Sequence, residues 1–498
     1  MNRLLLTAFA LMAVLVSSCT ASTGVHPGEA VTPPQLGDPT FDVVVLAADD
    51  LGTLDADVTV DGVPIEATSV GLEPITWLKI PVELTATADG FQPFTFVVED
   101  FPEAARIEVR LEPVVLQGRI TSKTGRPLPG VRVTLGPVDD ATDNEGRYAL
   151  ERAEPGQIVL SRPAWDDAEY SWDGSFDQYD MSMSSTEINA IRIAPEDLLD
   201  SVKWESLLSL ADSTGVNGIV VDLKTEDGSV VFRSENTVAN SIGAVRSYFE
   251  LHDVVAAAQA HDLYLIGRIG VFQDDFLALD QPEHAVLDED GSLWRSRNGF
   301  AWLDPSDPAS FEYAVDLAEE ARSAGFDEIQ FDYVSYPFGG DVSTATFDGE
   351  YTQEVRVASI NGFLTRAYSV LHPMGATVST TLLGIVLEST ADEGVGQNPG
   401  SMSRIVDVLA PTLYTTNYGA GWKNLEDPNE HAVEIVDSAL LAGSRKLDGY
   451  GYLRPWLQTW AISKADQRAV QISVEEEGMG WMLWSNSANY AGSALPPR

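Results

Sequence analysis

Cysteine is almost missing from this chain: Cys19 is its one thiol in 498 residues. With no second thiol there is nothing to oxidise or reshuffle, which suits an exported protein. Histidine is scarce as well. The six present (His26, His252, His261, His284, His372 and His431) show no paired ligand spacing, and none falls at the end of a strand candidate. Metal-dependent hydrolysis or deacetylation is therefore disfavoured, and neither a metal site nor another cofactor is expected. No Gly-x-Ser-x-Gly elbow appears, which argues against a serine hydrolase. No glycine-rich phosphate fingerprint follows the first strand of the C-terminal part, which argues against a nucleotide-binding sheet. Positive charge is in short supply: 30 Lys and Arg against 76 Asp and Glu give a formal net charge of -46. Phosphate backbones and anionic membrane surfaces require cationic patches, so no nucleic-acid partner is expected. Neutral polymers such as polysaccharides stay open as substrates.

The N-terminus carries Arg3 and then an apolar run, Leu4 to Val16. That run is too short to span a bilayer comfortably and reads as an export signal. Its end, Val16-Ser17-Ser18-Cys19, resembles a bacterial lipobox. The resemblance implies that residues 1–19 are a lipoprotein signal, that Cys19 is lipidated, and that the protein is membrane-anchored outside the cytoplasm. Residues 20–39 are rich in Gly, Pro and Thr without hydrophobic period, the composition of a flexible linker.

From Phe41 the pattern changes to short alternating runs with turns at Asp61-Gly62 and Asp89-Gly90, so residues 40–113 read as a small immunoglobulin-like β-sandwich. A second all-β unit is expected at 114–165. Gly125-Arg126-Pro127-Leu128-Pro129-Gly130-Val131 and Thr142-Asp143-Asn144-Glu145-Gly146-Arg147-Tyr148 resemble the carboxypeptidase regulatory-like sandwich. In such a turn Gly and Pro set the backbone and Asp143 bonds nearby amides. Residues 166–187 are aromatic, acidic and aperiodic, and read as a connector.

From residue 188 to 498, β-rich apolar runs alternate with helical patterns. The runs are Ala190–Ile193, Gly218–Leu223, Leu263–Ile269, Glu328–Val334, Thr377–Leu383, Val406–Leu413, Pro455–Trp460 and Gly480–Trp484. Eight strands with intervening helices have the size and rhythm of a (β/α)8 TIM barrel. The fold class is thus two small all-β sandwiches followed by that barrel.

Barrel enzymes keep their chemistry at the C-terminal ends of the strands. Strand two ends on Asp222 and Lys224, followed by Glu226 and Asp227; strand three offers Arg268. Strand four ends on Asp332, with Tyr333 and Tyr336 just beyond; strand six ends in Tyr414 and Asn417. Strand seven offers Gln458 and Trp460, and strand eight Trp484 and Asn486. Glycoside hydrolysis needs two carboxyl groups, one ionised and one protonated. Arg268 beside Asp332 would keep that carboxylate ionised, as a nucleophile or base requires. Candidates for its partner are Asp222, or Glu388, Asp392 and Glu393 after strand five. Aromatic faces at Trp302, Trp422, Trp460 and Trp484 could stack on sugar rings.

Several segments together resemble a bacterial barrel family known as the putative glycoside hydrolase domain. They include Asn217 to Lys224, Ile266-Gly267-Arg268-Ile269, Trp302-Leu303-Asp304-Pro305, Phe326 to Pro337, Arg454-Pro455-Trp456-Leu457-Gln458 and Gly480 to Trp484. The resemblance implies a carbohydrate polymer as partner, Asp332 as the strand-four nucleophile, and Asp304 among the substrate-binding residues. Two positions depart from the family pattern. Thr381 stands where strand five carries an acid, and Asn417 where strand six carries a histidine. Threonine and asparagine can hydrogen-bond a sugar but do not exchange protons near neutral pH. A glycan-binding protein without turnover and an envelope scaffold are the alternatives to a hydrolase.

Overall fold

Strict alternation of apolar and polar residues folds the N-terminal part into thin, two-sheet units. The computed structural model describes residues 40–49, 52–65, 72–76, 80–100, 102, 106–123, 125–448 and 450–498. The expected signal segment with Cys19 and the linker at 20–39 lie outside the described residues. One compact unit takes in the described residues up to 88 together with 92–112. It has a three-stranded sheet, Leu72–Thr76, Thr40–Ala47 and Arg106–Leu111, and a four-stranded sheet built on Asp57–Val60 and Val82–Thr87. In Val82–Thr87 the side chains of Val82, Leu84 and Ala86 are buried and those between them are not, as a half-buried strand requires.

The second sandwich belongs to the other compact unit together with the barrel. Asp143 does bond its own turn: its Oδ1 accepts from the Glu145 and Arg147 amides at 2.9 and 2.8 Å. The expected boundary at residue 165 is corrected. Ala168–Trp172 completes one of this sandwich's sheets by pairing with Gly156–Ser161, and Met181–Met183 completes the other by pairing with Val115–Ser122. Trp172, Met181 and Met183 join its core, so the segment read as a connector contributes two strands to the sandwich. Those strands are short and half-exposed, which erases any period-two signal.

The barrel closes as expected. Its strands are Asn189–Ile193, Gly218–Lys224, Tyr264–Gly270, Glu328–Asp332, Thr377–Leu383, Val408–Thr412, Trp456–Gln458 and Trp481–Trp484. They pair in parallel in that order, and the eighth pairs back with the first. Both strand faces are buried, one on an inner cluster of Ala190, Val220, Ile266, Ala410, Trp456 and Met482, the other under the helices. This is why the strands read as unbroken apolar runs. The helices are cut to length by local signals. Thr352 caps Gln353–Leu371 through the Val355 amide, Ser463 caps Lys464–Glu476 through the Asp466 amide, and Gly325 ends Glu312–Ala324 in the left-handed region at φ 119°.

Candidate active site at the barrel mouth

Four adjacent strand ends set alternating charges side by side, and a fifth adds a hydroxyl. Arg192 of strand one donates through Nε and Nη2 to Asp222 Oδ2 of strand two, at 3.0 and 2.5 Å. Arg268 of strand three donates through Nη1 to Asp222 Oδ1 at 3.0 Å. The same guanidinium turns its Nε and Nη2 to Asp332 Oδ2 of strand four, at 2.6 and 2.5 Å. Asp332 Oδ1 accepts from the Tyr333 amide at 2.7 Å and from the Thr381 hydroxyl of strand five. Tyr333 holds a left-handed backbone at φ 52°, uncommon for a bulky residue and frequent at functional sites. Trp484 of strand eight closes the arc: the guanidiniums of Arg192 and Arg268 lie 4.0 and 4.8 Å from its ring centroid.

Exposure separates the two carboxylates. The Asp222 side chain is 0% exposed and that of Asp332 is 17% exposed. Burial would raise the Asp222 pKa, but Arg268 and Arg192 outweigh it and hold the carboxyl below its usual range. A carboxylate so held does not donate protons, so Asp222 is a charge clamp between two arginines and not an acid catalyst. Burial likewise works against the Arg268 charge, and Asp332 and then Asp222 overcome it, so this guanidinium is raised well above its ordinary value.

Tyr414 and Trp460 form an edge-to-face pair at 5.1 Å, with Trp460 36% exposed. Burial raises the Tyr414 phenol, and the charge of Asp332 adds to it. Asn417 is exposed on the same loop. These side chains line the mouth around Asp332.

Other expected residues are turned elsewhere. Lys224 is fully buried against Asp274 at 2.8 Å and donates to the Gly270 carbonyl at 2.7 Å. A register shift between Asp222 and Lys224 reverses the alternation and sends Lys224 out under the helices. Asp304 is buried in a turn, bonded to the Ser306 amide at 2.8 Å and the Asp348 amide at 2.7 Å. Tyr336 is buried against Phe347 and Tyr351 and bonds Ser359 at 3.1 Å. Gln458 is spent on the Thr416 amide at 3.2 Å and the Trp460 carbonyl at 2.8 Å. Trp302 is wholly buried beside Tyr333 and Phe338 and offers no face to a sugar.

Of the strand-five loop acids, Asp392 is clamped by Arg356 at 2.7 and 2.8 Å, and Glu393 bonds Ser389. Glu388 pairs with Lys423 and accepts from Ser438 at 2.8 Å. Its other oxygen, the Tyr418 hydroxyl and the Trp422 indole N–H are buried without a hydrogen-bond partner among the described residues. Tyr418 and Trp422 touch at 5.1 Å, so this is a separate polar nook on the loops after strands five and six.

Two groups at the mouth were given no role from sequence: Arg192 was not named, and Glu226 was named only as following strand two. Arg192 is a lone cation inside a strand whose other central residues are buried and apolar, and that mismatch is the signal that could have found it. Glu226, on the loop after strand two, is half-buried and makes no side-chain hydrogen bond or ion pair among the described residues.

The family described as Putative glycosyl hydrolase domain matches residues 190–490. No curated protein matches the chain. Among solved structures, a hypothetical protein from Ruminiclostridium thermocellum is 31% identical, over 38% of this chain and 96% of its own, with a TM-score of 0.35. The glycoside hydrolase domain of PgaB (BpsB) from Bordetella bronchiseptica is 11% identical, over 61% and 95%, with a TM-score of 0.46. The catalytic domain of a β-amylase from Paenibacillus polymyxa is 10% identical, over 63% and 96%, with a TM-score of 0.40.

Proposed function

The chain belongs to the Putative glycosyl hydrolase domain family, and from that premise we propose that its barrel hydrolyses O-glycosyl bonds of a polysaccharide or cell-envelope glycan at Asp332. One observation carries the reading. Among the mouth carboxylates tied to arginine, Asp332 is the one a substrate can reach, and Arg268 pairs with it and fixes its orientation. An ionised carboxylate at the end of strand four is what attack on an anomeric carbon, or on the water that attacks it, calls for. Tyr414, Trp460 and Trp484 supply the aromatic faces that sugar rings stack on. The charge of -46 disfavours polyanionic glycans and favours neutral ones. The proposal includes export and lipid anchoring at Cys19.

A second reading has its own support. Thr381 and Asn417 cannot transfer protons, and Asp332 already accepts three hydrogen bonds and an ion-pair contact, so the mouth could bind a glycan without cleaving it. A panel of purified cell-wall and capsular glycans, incubated with wild type and Asp332→Asn, separates the two. Hydrolysis by wild type that the substitution abolishes supports the hydrolase. Binding that the substitution weakens, with no turnover anywhere, overturns it in favour of the binding protein.

A further inference from the structure

Hydrolysis at Asp332 leaves a proton unaccounted for: the departing glycosidic oxygen needs one, and none of the clamped carboxylates can give it. We propose that Glu226 is the proton donor of this site, an inference that rests on reading Asp332 as its ionised partner.

The argument begins with the backbone. Residues 225–229 form a tight turn, with Thr225 N–H donating to the Ser229 carbonyl and Gly228 N–H to the Thr225 carbonyl, both at 3.0 Å. Asp227 is consumed inside it, bonding the Thr225 hydroxyl at 2.7 Å, the Ser229 amide at 2.9 Å and the Ser229 hydroxyl at 3.0 Å. The turn is fastened to the segment after strand three. Gln273 Nε2 donates to the Glu226 carbonyl at 2.7 Å, and the Asp275 amide to the Asp227 carbonyl at 3.1 Å. Gly228, at φ 90°, lies so close to Asp274 that a Cβ there would sit 2.2 Å from its Oδ1. Glu226 is therefore presented from a fixed backbone at the rim between strands two and three, beside the strand that carries Arg268.

Its side chain is the free one. Asp222 is locked between arginines, Asp274 pairs with Lys224, and Asp304, Asp392, Glu388 and Glu393 have the partners already described. Glu226 has none, is half-buried, and its charge is felt by both Arg268 and the Tyr333 phenol. It thus lies within electrostatic reach of the guanidinium that holds Asp332.

In the reaction the Glu226 O–H gives its proton to the glycosidic oxygen as the bond from that oxygen to the anomeric carbon breaks. The new bond to that carbon comes from an Asp332 oxygen or from a water that Asp332 deprotonates. If Asp332 bonds the sugar, a water later displaces it and returns its proton to Glu226. One water is consumed and one glycosidic bond is lost in either case.

The test uses the full chain, wild type, Asp332→Asn, Glu226→Gln and Glu226→Ala. Each is assayed on the glycan that wild type cleaves and on the 2,4-dinitrophenyl glycoside of the sugar released. A dinitrophenolate leaves without protonation. In kcat/KM, which reports cleavage of the glycosidic bond, Glu226→Gln is expected to lose about 10²- to 10⁴-fold on the glycan and little on the dinitrophenyl glycoside. Glu226→Ala is expected to behave alike, with an unchanged melting temperature, and Asp332→Asn to lose both activities. Equal loss on both substrates, or no loss on either, overturns Glu226 as donor while leaving Asp332 in place. Failure of wild type on every glycan overturns both.

Discussion

The hydroxyl of Thr381 donates to the Oδ1 oxygen of Asp332, the oxygen that Arg268 does not hold. Thr381 is thus part of the cradle that holds the Asp332 carboxylate. A hydrogen bond to a charged group is worth about 1.5–3 kcal/mol. Replacing Thr381 by valine keeps the shape and removes the donor. The carboxylate then loses one of the groups that orient it, and kcat/KM is expected to fall by about 10- to 100-fold, at 1.36 kcal/mol per factor of ten. An unchanged kcat/KM would mean that this hydroxyl does not bear on the reacting group.

Asp222 and Asp332 share Arg268 but are expected to answer mutation differently. Asparagine at 222 leaves Arg192 and Arg268 facing each other, buried, without their common counter-charge. Breaking a buried ion pair from one side costs about 3–5 kcal/mol. Urea unfolding of Asp222→Asn should show a loss of that order, whereas Asp332→Asn, at the partly exposed end of the arc, should unfold near wild type yet lack turnover. Equal stability of the two variants would remove the distinction between clamp and reactive group.

The barrel was legible because its strands are buried on both faces and mostly apolar, so eight runs stand out from the helices between them. Asp332, Arg268 and Asp222 could be placed together because a parallel barrel brings strand ends to one rim. Side-chain direction past the last regular residue was not legible. A single register shift after Asp222 sends Lys224 to the outside, and loop turns absorb Asp304 and Asp227. Arg192 was hidden because a five-residue strand with one charge still reads as an apolar run. The strands Ala168–Trp172 and Met181–Met183 were missed because only Trp172, Met181 and Met183 are buried in them.

Lys224 and Asp274 are expected to be coupled strongly and to matter for stability. Both side chains are fully buried, and Asp274 also accepts from the Leu277 amide at 2.9 Å and from the Tyr313 hydroxyl. Lys224→Met or Asp274→Asn alone strands a partner and should each cost about 3–5 kcal/mol. The double variant should lose much less than the two losses added, a coupling of about 1–3 kcal/mol in the double-mutant cycle. Additive losses would show that the pair does not act as one unit. Loss of turnover beyond the loss of folded protein would instead return Lys224 to the site.

Asp407, just before strand six, gives the barrel a pH-dependent stability of definite sign. Burial pushes its pKa from an ordinary 3.8 to about 7, opposed by the charge of Arg162 and the Val378 amide and reinforced by Glu328. The folded protein therefore keeps a proton that the unfolded chain has already released. Between pH 4 and 7 the native state binds more protons than the unfolded state, so its stability falls as pH rises through this window. The full effect, about three pKa units, is on the order of 4 kcal/mol. In Asp407→Asn the amide oxygen can still accept from the Val378 amide, which Asp407 Oδ2 accepts from at 2.9 Å, but the titration is gone. The stability difference between this variant and wild type should therefore change steadily in the variant's favour from pH 4 to pH 8 in urea unfolding. A difference that stays constant across that range would show that Asp407 ionises in the folded barrel as it does in the unfolded chain.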